Sequence, residues 1–454
     1  MKAQNLYKYL VIGLITLLLA ACSNTDAEQK FDQTPTERLN AQKDELNNLL
    51  LSSGYGWKLV YFTDNTILGG YTHLIKFAKD GTVEMASDFD DDTAIYKSEY
   101  EIQLGSTLSL VFTTANRIHL LSESDNYPIE ELKSKGYLGD FQFLYYGQEN
   151  GEIIFRTNRV NTTTKTNPEL RFVKATAEDW TDLHKNIDMI DNVIGAPTRP
   201  LFRSLETNDG KTIHQFDFSF SEITRFAEAN SLEAGYSVAY NMGIGYSPTG
   251  IVVSPVVEVG GQKLSIFTYN DTDGSFTATG TNGVSATIKY STTPPILTDD
   301  YKQLLEGQPQ SVYGYIAAYL YSAPSTSQYC KDLLDKANAT LPANQQISRI
   351  QFHFNTPYGT YIEYRFTGGK ASLYHTVTTS EDADKKTMIL TNVYWDDGSA
   401  IIDTPPFLKE IDDELTNPNG LYVKKETFKV RYPNTIWTFS STSSNFRLTT
   451  YDLN

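Results

Sequence analysis

The sequence has few cysteines, two in 454 residues, and it lacks an excess of positive charge. Two cysteines are too few for a disulfide framework or for a zinc module built from cysteine ligands. The 38 Lys and Arg residues are outnumbered by 55 Asp and Glu residues, which leaves a net charge of −17. Because a nucleic-acid partner requires basic side chains that neutralise phosphates, we expect no nucleic-acid binding.

The sequence also lacks the motifs of several enzyme classes. It contains no His-Glu-x-x-His pattern of zinc proteases, no phosphate-binding P-loop and no Gly-x-Ser-x-Gly nucleophile elbow. Of its six scattered histidines, His353 and His375 are the two that we expect to meet across adjacent strands. A metal site needs a third ligand, which the sequence does not indicate, so packed or surface histidines are favoured. We predict no catalytic residues and favour a binding protein over an enzyme.

The first residues predict a bacterial leader. Two lysines precede an apolar run at residues 10–21, and these 12 residues are fewer than the ~20 of a membrane-spanning helix. Such a run is typical of a cleaved secretory signal. Its end, Leu19-Ala20-Ala21-Cys22, resembles a bacterial lipobox, in which the signal is cut before the cysteine and the cysteine is lipidated. We therefore expect residues 1–21 to be a lipoprotein signal peptide and Cys22 to carry the lipid.

The second cysteine is expected to be structural. Once Cys22 carries lipid, Cys330 is left without a disulfide partner, and the helical pattern at residues 325–341 places it on an apolar face. Residues 22–30 are polar and predict a tether, with Asp26 and Glu28 resembling a surface-export signal. Because the signal peptide holds two lysines and no acidic residue, its removal changes the net charge from −17 to −19. The expected location is the outer membrane, exposed at the cell surface.

The first half of the chain reads as a helix followed by short strands. A capping motif at Thr34–Glu37 predicts a helix that ends near Leu51. From Trp57 onward, alternating apolar and polar residues separated by glycine-containing turns predict consecutive antiparallel strands. A helix at Ala177–Ile190 ends before Gly195-Ala196-Pro197, where we place a domain boundary.

The second half of the chain is also predicted to combine strands and helices. Two predicted helices, Tyr301–Tyr321 and Ser325–Leu341, lie between groups of strands. The predicted fold class is α+β and β-dominant: antiparallel meander sheets, as a curved sheet or an open barrel, with an N-terminal helix and a central helix pair. The predicted domains are the signal peptide (1–21), the tether (22–30), an N-terminal β-rich domain (31–195) and a C-terminal α+β domain (196–454).

Aromatic residues in predicted loops are the candidate ligand-binding residues. Tyr is frequent, with 30 residues, and an exposed aromatic ring can stack on a sugar or contact a peptide. Five aromatics lie next to Gly, Pro or Ser in predicted loops: Tyr55, Tyr127, Tyr246, Tyr358 and Trp395. These residues serve a glycan and a peptide ligand equally well, so both ligand classes stay open.

An acidic loop at Asp88–Asp92 is the candidate metal site. Asp88, Asp90 and Asp92 would offer oxygen ligands, which suit Ca²⁺. The loop lacks the glycine hinge and the distal Glu of a calcium-binding loop, so a solvated acidic loop is favoured. We therefore predict no required cofactor, with Ca²⁺ as the alternative.

Glycines and aromatics form a recurring pattern in the N-terminal half. The pattern comprises Gly56-Trp57, Tyr61-Phe62, Gly69-Gly70-Tyr71, Lys76-Phe77, Asp80-Gly81 with Val83, Tyr100, Leu108-Ser109, Ile118-His119 and Gly139-Asp140-Phe141 with Phe143. It resembles an uncharacterised lipoprotein family of the Bacteroidetes that is defined by domain of unknown function 4302. The resemblance covers residues 31–190 and, in weaker form, Thr249-Gly250-Ile251 to Phe267. It implies outer-membrane lipoproteins encoded near nutrient-uptake systems of the starch-utilisation kind, and it implies no catalytic residues.

Together these features predict a surface-tethered bacterial lipoprotein that is a non-catalytic binding or accessory component of an outer-membrane nutrient-uptake system. Its expected partners are the membrane, through the lipid on Cys22, a glycan or peptide ligand, and an outer-membrane transporter. Two alternatives stay open. The first is a structural or interaction protein that docks on an outer-membrane partner, and the second is a hydrolase without a recognisable motif, because catalytic groups are recognised by geometry rather than by sequence.

Overall fold

The computed structural model describes residues 35–454 except residues 106, 162, 196–200, 292 and 324. The predicted signal peptide, the tether and the lipidated Cys22 lie outside the described residues. The described chain is dominated by antiparallel strands that form barrel-like sheets, with few helices. This confirms the predicted β-dominant α+β class. No helix in the described part of the chain is both long and apolar enough to cross a membrane.

The N-terminal helix α1 (Pro35–Leu50) leads into a closed barrel of eight antiparallel strands, here called the first barrel. Each strand pairs with the next along the chain, and β8 returns to pair with β1, where Trp57 lies opposite Lys174. Two short 3₁₀ helices, Arg117–Leu121 and Glu130–Leu132, connect β5 to β6. The strands are β1 (Trp57–Phe62), β2 (Gly70–Phe77), β3 (Thr82–Ser87), β4 (Tyr96–Leu104), β5 (Leu108–Phe112), β6 (Gln142–Glu149), β7 (Glu152–Thr157) and β8 (Glu169–Lys174).

The interior of the first barrel is filled by alternate side chains of its strands. Along β1, Trp57, Leu59 and Tyr61 are buried, while the residues between them are half-buried, which is the period-two pattern of a strand with one face on a core. Leu46 and Leu50 of α1 belong to the same hydrophobic cluster. The indole nitrogen of Trp57 donates a hydrogen bond to the carbonyl oxygen of Leu50 at 2.9 Å, which ties α1 to the first strand.

One polar side chain, His73 on β2, is fully buried among these apolar residues. Its strand neighbours Tyr71 and Ile75 belong to the barrel core. Neither ring nitrogen of His73 has a hydrogen-bond partner in the described part of the chain. Burial, followed by the charges of Arg117 and Arg225, lowers the pKa of His73 from 6.5 to about 3. The folded barrel therefore holds a neutral histidine at pH values where the unfolded chain would bind a proton.

We expect the free energy of unfolding to fall as the pH drops below 6.5, because only the unfolded chain then protonates His73. The stabilisation is complete above pH 6.5 and is lost towards pH 3, at about 1.4 kcal/mol per pH unit. Urea unfolding at about pH 7.5 and about pH 5 should show this slope, and His73→Leu should flatten it. Burial also lowers the pKa of His119, so His119 adds to the pH dependence over the same pH range. It does so equally in the unchanged protein and in His73→Leu.

A matched control for this measurement is His184→Gln, because His184 is an exposed histidine on a helix. This variant should keep the slope of the unchanged protein. Equal slopes for the unchanged protein and His73→Leu would contradict the assignment of the pH dependence to His73.

Helices α2 (Ala177–Asp182) and α3 (His184–Ile194) connect the first barrel to a nine-stranded antiparallel sheet, here called the central sheet. Its strand order is β10-β9-β17-β16-β15-β14-β13-β12-β11. The strands are β9 (Phe202–Asp209), β10 (Ile213–Asp217), β11 (Ser219–Ser221), β12 (Phe226–Asn230), β13 (Ala239–Ser247), β14 (Gly250–Val259), β15 (Gln262–Asn270), β16 (Ser275–Thr279) and β17 (Val284–Ser291). The sheet encloses its own hydrophobic cluster, which Met189 and Val193 of α3 join.

A third sheet, here called the C-terminal barrel, follows a 3₁₀ helix at Asp300–Leu304. Its order is β21-β20-β19-β18-β26-β25-β24-β22-β23, and β21 also pairs with β22, so eight of the strands form a ring. The strands are β18 (Ser311–Ile316), β19 (Ile347–Thr356), β20 (Gly359–Phe366), β21 (Leu373–Asp382), β22 (Thr387–Asp396), β23 (Ile401–Ile402), β24 (Leu421–Lys425), β25 (Ile436–Ser441) and β26 (Arg447–Asp452). Three helices complete it: α4 (Ala317–Leu320), α5 (Gln328–Ala339) and α6 (Lys409–Leu415).

The predicted helix over Tyr301–Tyr321 is wrong in its middle. Residues Ser311–Ile316 form strand β18, and only Ala317–Leu320 is α-helical. The cause is that Tyr313 and Tyr315 both point into the barrel core, and that spacing of two is the period of a strand. The second predicted helix is confirmed as α5. Cys330 on this helix is fully buried, as predicted, and burial raises the pKa of its thiol.

Within residues 196–454, which the sequence assigned to one domain, the described strands form two sheets with separate hydrophobic clusters. The first barrel and the central sheet approach each other at two glycines. A Cβ at Gly69 would overlap the Cβ of Arg225, and a Cβ at Gly243 would overlap the carbonyl oxygen of Leu68. The Gly69 amide donates to the carbonyl oxygen of Thr224 at 2.7 Å. Gly69 of the family pattern therefore allows the two sheets to pack closely, while a Cβ at Gly70 would overlap the Phe62 ring of β1.

Candidate functional site

The five candidate aromatics lie on three different sheets, so they do not form one site. Tyr358 and Tyr55 are 86% and 55% exposed, and Tyr127 is half-buried. Tyr246 and Trp395 are only 1% and 3% exposed. The expectation that all five are exposed is therefore wrong for Tyr246 and Trp395.

Tyr246 and Trp395 are buried because they lie in strands rather than in loops. Tyr246 belongs to β13, and its ring lies 4.7 Å from the guanidinium carbon of Arg225. Trp395 belongs to β22 and stacks on His375 with 4.5 Å between ring centroids. The glycine next to Tyr246, which indicated a loop, is instead a position of close packing. A Cβ at Gly245 would lie 2.9 Å from a methyl group of Val60.

Tyr55 lies in a shallow surface groove on the first barrel. The groove has a volume of about 230 Å³ and is lined by Tyr55, Lys76, Glu84, Ile95, Ala177 and Trp180. The indole nitrogen of Trp180 donates to the carbonyl oxygen of Tyr55 at 2.7 Å, so the two aromatic residues are held side by side. The groove offers aromatic surface but little enclosure.

The acidic loop does not form a metal site in the described chain. Asp88 is fully buried and pairs with Arg225 at 3.2 Å, while Asp90 pairs with Arg117. Asp92 accepts a hydrogen bond from the Tyr96 hydroxyl at 2.5 Å. Among the described residues, no group of three or more His, Cys, Asp or Glu side chains is arranged to hold a metal ion.

The carboxylates of Asp88, Asp90 and Asp92 therefore already have partners within the protein. Arg225 is far from Asp88 in sequence, and the contact forms only because the central sheet packs on the first barrel. Nothing in the local sequence of the loop indicates this partner.

The two histidines considered for a metal site do not meet, because His353 and His375 lie on β19 and β21 with β20 between them. His353 contacts Glu363 at 3.2 Å. His375 is buried and contacts Asp412 of α6 at 2.8 Å. Both histidines are thus packed against carboxylates, which agrees with the structural interpretation favoured from the sequence.

A cavity with a volume of about 290 Å³ lies between the central sheet and the C-terminal barrel. We call it the interface cavity. It is bounded by β9 and the β10–β11 edge on one side, by β24, β25 and β26 on the other, and by the connecting segment 294–298. Its lining residues include Phe202, Arg203, Asp217, Phe218, Ser219, Ile296, Leu297, Lys386, Tyr422, Lys424, Glu426, Thr438, Ser440 and Arg447.

Two arginines from opposite walls dominate the electrostatics of the interface cavity. Arg203 donates a hydrogen bond to the carbonyl oxygen of Val193, and Arg447 donates one to the carbonyl oxygen of Ser325. In the part of the chain that the structure describes, neither guanidinium lies within 4.0 Å of a carboxylate. Burial lowers the pKa of both arginines. At Arg447 the negative charge of Glu426 opposes this lowering, and the positive charge of Arg203 adds to it.

Sequence reasoning missed both arginines. Each lies in a strand, and the two come from different sheets that meet only in the folded protein. From the sequence alone, each arginine is only a positively charged residue in a strand of an acidic chain. The sequence contains many such residues, so this feature does not single out Arg203 and Arg447. The shared site is visible only in the tertiary structure.

Comparison with known proteins identifies one family. No curated protein matches the chain. The family model described as Domain of unknown function (DUF4302) matches residues 27–271, which is more than half of the chain. The match includes α1, the first barrel, α2, α3 and the central sheet as far as β15, and the C-terminal barrel lies beyond it. The chain therefore belongs to the DUF4302 family.

Proposed function

We propose that this chain is a surface-tethered bacterial lipoprotein that binds an extracellular ligand, without converting it chemically, as an accessory component of an outer-membrane nutrient-uptake system. The leader pattern that ends at Cys22 supports the tether, and the acidic residues Asp26 and Glu28 just after it support a body exposed at the cell surface. The aromatic groove at Tyr55 and Trp180 offers a second surface for the same function.

The observation that carries the proposal is the interface cavity. Ligand sites in proteins are mostly concave, they lie preferentially between domains, and they combine apolar walls with a few polar groups. The interface cavity has this composition, because Phe202, Phe218 and Leu297 share its lining with arginines, serines and threonines. Its volume of about 290 Å³ suits a small molecule or one end group of a larger ligand.

The tether and the location are tested together in cells that express the full-length chain. We expect an externally added protease to degrade the protein while a periplasmic marker stays intact. The Cys22→Ala variant should lose its membrane attachment and appear in the soluble fraction, because the lipidated residue is gone. Degradation only after the outer membrane is permeabilised would contradict surface exposure.

A second candidate function, docking on an outer-membrane partner, is favoured by exposed apolar side chains on the C-terminal barrel. Val393 and Tyr394 on β22 and Ile401 on β23 are all exposed. Exposed apolar side chains on adjacent strands are typical of protein-binding surfaces. A stable complex that co-purifies from membranes, with no ligand-dependent change in the melting midpoint, would favour docking over capture.

A further inference from the structure

We propose that the interface cavity binds a small organic anion, a molecule carrying a carboxylate or a phosphate group, through the guanidinium groups of Arg203 and Arg447. This inference rests on the proposed function, because it names the ligand class for the same cavity. It goes beyond that function in assigning the residues that recognise the ligand.

The first argument is the unused hydrogen-bonding capacity of the two arginines. A guanidinium carries five N–H donors in a fixed fork. One donor of Arg203 contacts the Val193 carbonyl oxygen, and one donor of Arg447 contacts the Ser325 carbonyl oxygen. No other side-chain hydrogen bond from either guanidinium is found in the described chain. Both arginines are half-buried. A charge partly withdrawn from water without a counter-charge is unfavourable, and an anion between the two walls would offset that cost.

The second argument is the balance of charges around the cavity. Its lining holds four cationic side chains, Arg203, Arg447, Lys386 and Lys424, and two carboxylates. Both carboxylates already have partners. Glu426 pairs with Lys424 at 3.0 Å and accepts the Thr438 hydroxyl at 2.9 Å, and Asp217 accepts the Asn230 amide at 2.5 Å. Of the four cations, Lys424 is thus paired within the lining, and Lys386 pairs with Asp299 at 3.5 Å. In the described chain the two arginines have no carboxylate within 4.0 Å, so the uncompensated positive charge of the lining lies on them.

The third argument is the apolar part of the lining, which points to an organic anion rather than an inorganic ion alone. The guanidinium of Arg203 lies over the Phe218 ring, with 5.3 Å between its carbon and the ring centroid. Phe202 of the central sheet and Tyr422 of the C-terminal barrel meet edge to face at 6.3 Å. An aromatic surface beside two guanidinium forks can hold a carbon skeleton while its acidic group is bound.

The test measures the melting midpoint of the full-length protein in detergent with D-galacturonate, D-galactose, inorganic phosphate and acetate, at constant ionic strength set with chloride. We expect galacturonate to raise the midpoint and galactose, which has a hydroxymethyl group in place of the carboxylate, to leave it unchanged. Phosphate or acetate alone should raise it less, because neither offers a carbon skeleton for the aromatic walls. Arg447→Gln should weaken galacturonate binding about 10- to 100-fold.

Substitution of an arginine could weaken binding by disturbing the fold, so a second variant leaves both arginines unchanged. Ser219 lies on the exposed edge strand β11 and lines the cavity, so Ser219→Glu introduces a negative charge there while both arginines stay in place. It should weaken galacturonate binding at least about tenfold. The matched control is Ser221→Glu on the same strand, because Ser221 is exposed and does not line the cavity. Its binding should be unchanged.

The outcomes separate this inference from the proposed function. Equal midpoint increases with galactose and galacturonate would overturn the anion assignment and leave ligand capture standing. No increase with galacturonate, phosphate or acetate beyond the chloride control would also overturn it. Equal weakening by Ser219→Glu and Ser221→Glu would show that the anion binds elsewhere, which overturns the assignment of the site.

Discussion

Replacing Arg225 with methionine is expected to lower the free energy of unfolding by about 3–5 kcal/mol, because it leaves the buried carboxylate of Asp88 without its cation. Asp88 is fully buried, and the side chain of Arg225 is only 6% exposed. Urea unfolding of the full-length protein at neutral pH measures the loss. We expect it to affect the transition of the first barrel and the central sheet, since the ion pair joins these two sheets.

The environment of this ion pair explains the size of the effect. The Arg225 guanidinium lies 4.1 Å from the centroid of Tyr71 and 4.7 Å from that of Tyr246, between two aromatic rings. The Asp88 carboxylate also accepts hydrogen bonds from the Thr72 amide and from Asn186, both at 2.8 Å. Burial opposes the charge on Arg225, but Asp88 outweighs it together with the two tyrosines, so the pKa of Arg225 is raised. If one partner is removed, the free-energy cost of burying the charge of the other partner is no longer offset.

Two further variants check this explanation. The double variant Asp88→Asn with Arg225→Met removes both charges and should recover a large share of the stability. The control, Arg171→Met, removes an arginine that contacts Glu149, Glu152 and Glu169 on the barrel surface with 44% of its side chain exposed. We expect the control to cost about 0–1 kcal/mol. A loss at Arg225 no larger than at Arg171 would contradict the argument.

Replacing Asp412 with alanine is expected to lower the free energy of unfolding of the C-terminal barrel by about 3–5 kcal/mol. One oxygen of Asp412 accepts the Tyr364 hydroxyl at 2.9 Å and contacts Nδ1 of His375 at 2.8 Å. All three side chains are buried. The variant would leave a buried hydroxyl and a buried imidazole without this partner, and each orphaned group costs about 1–3 kcal/mol.

The same hydrogen-bond network ties helix α6 to strands β20 and β21. His375 also contacts the side-chain oxygen of Asn392 at 2.7 Å, so the network continues to β22. Burial, followed by the charge of Asp412, raises the pKa of Tyr364 well above its usual value, which keeps its hydroxyl protonated and able to donate. The helix is therefore held by polar contacts as well as by the apolar side chains of Ile411 and Leu415.

Matched variants separate the network from general effects on the helix. Asp412→Asn keeps an acceptor oxygen at the same place and should cost less than Asp412→Ala. Asp413→Ala removes the neighbouring exposed carboxylate, which pairs with Lys409 at 2.6 Å on the surface, and should change stability by less than about 1 kcal/mol. Unfolding followed by near-ultraviolet circular dichroism would report these differences. Equal losses for Asp412→Ala and Asp413→Ala would contradict the role of the buried network.

Features that depend on local patterns could be predicted from the sequence. The alternation along Trp57, Leu59 and Tyr61 predicted β1, and the capping motif predicted α1, because burial and capping act over a few residues. The same reasoning placed Cys330 on a buried helical face. It failed at Ser311–Ile316, where the predicted helix is replaced by a strand because Tyr313 and Tyr315 face a barrel core.

The candidate site could not be predicted in the same way. Tyr246 and Trp395 have the local surroundings of loop aromatics, and only the packing of sheets shows that they are buried. Arg203 and Arg447 have the local surroundings of ordinary strand residues, and only the contact of two sheets gives them a shared cavity. Each of these outcomes depends on distant parts of the chain.

The sequence by itself determined the family, the β-dominant class, the N-terminal helix and the burial of Cys330, since these follow from local periodicity and from recurring glycines and aromatics. The tertiary structure decided that the first barrel closes, that Asp88 pairs with Arg225, and that two arginines face one cavity. The physical reason is that local patterns record which side of a strand or helix is buried. Partners across sheets are set by how whole sheets pack, which no short segment encodes.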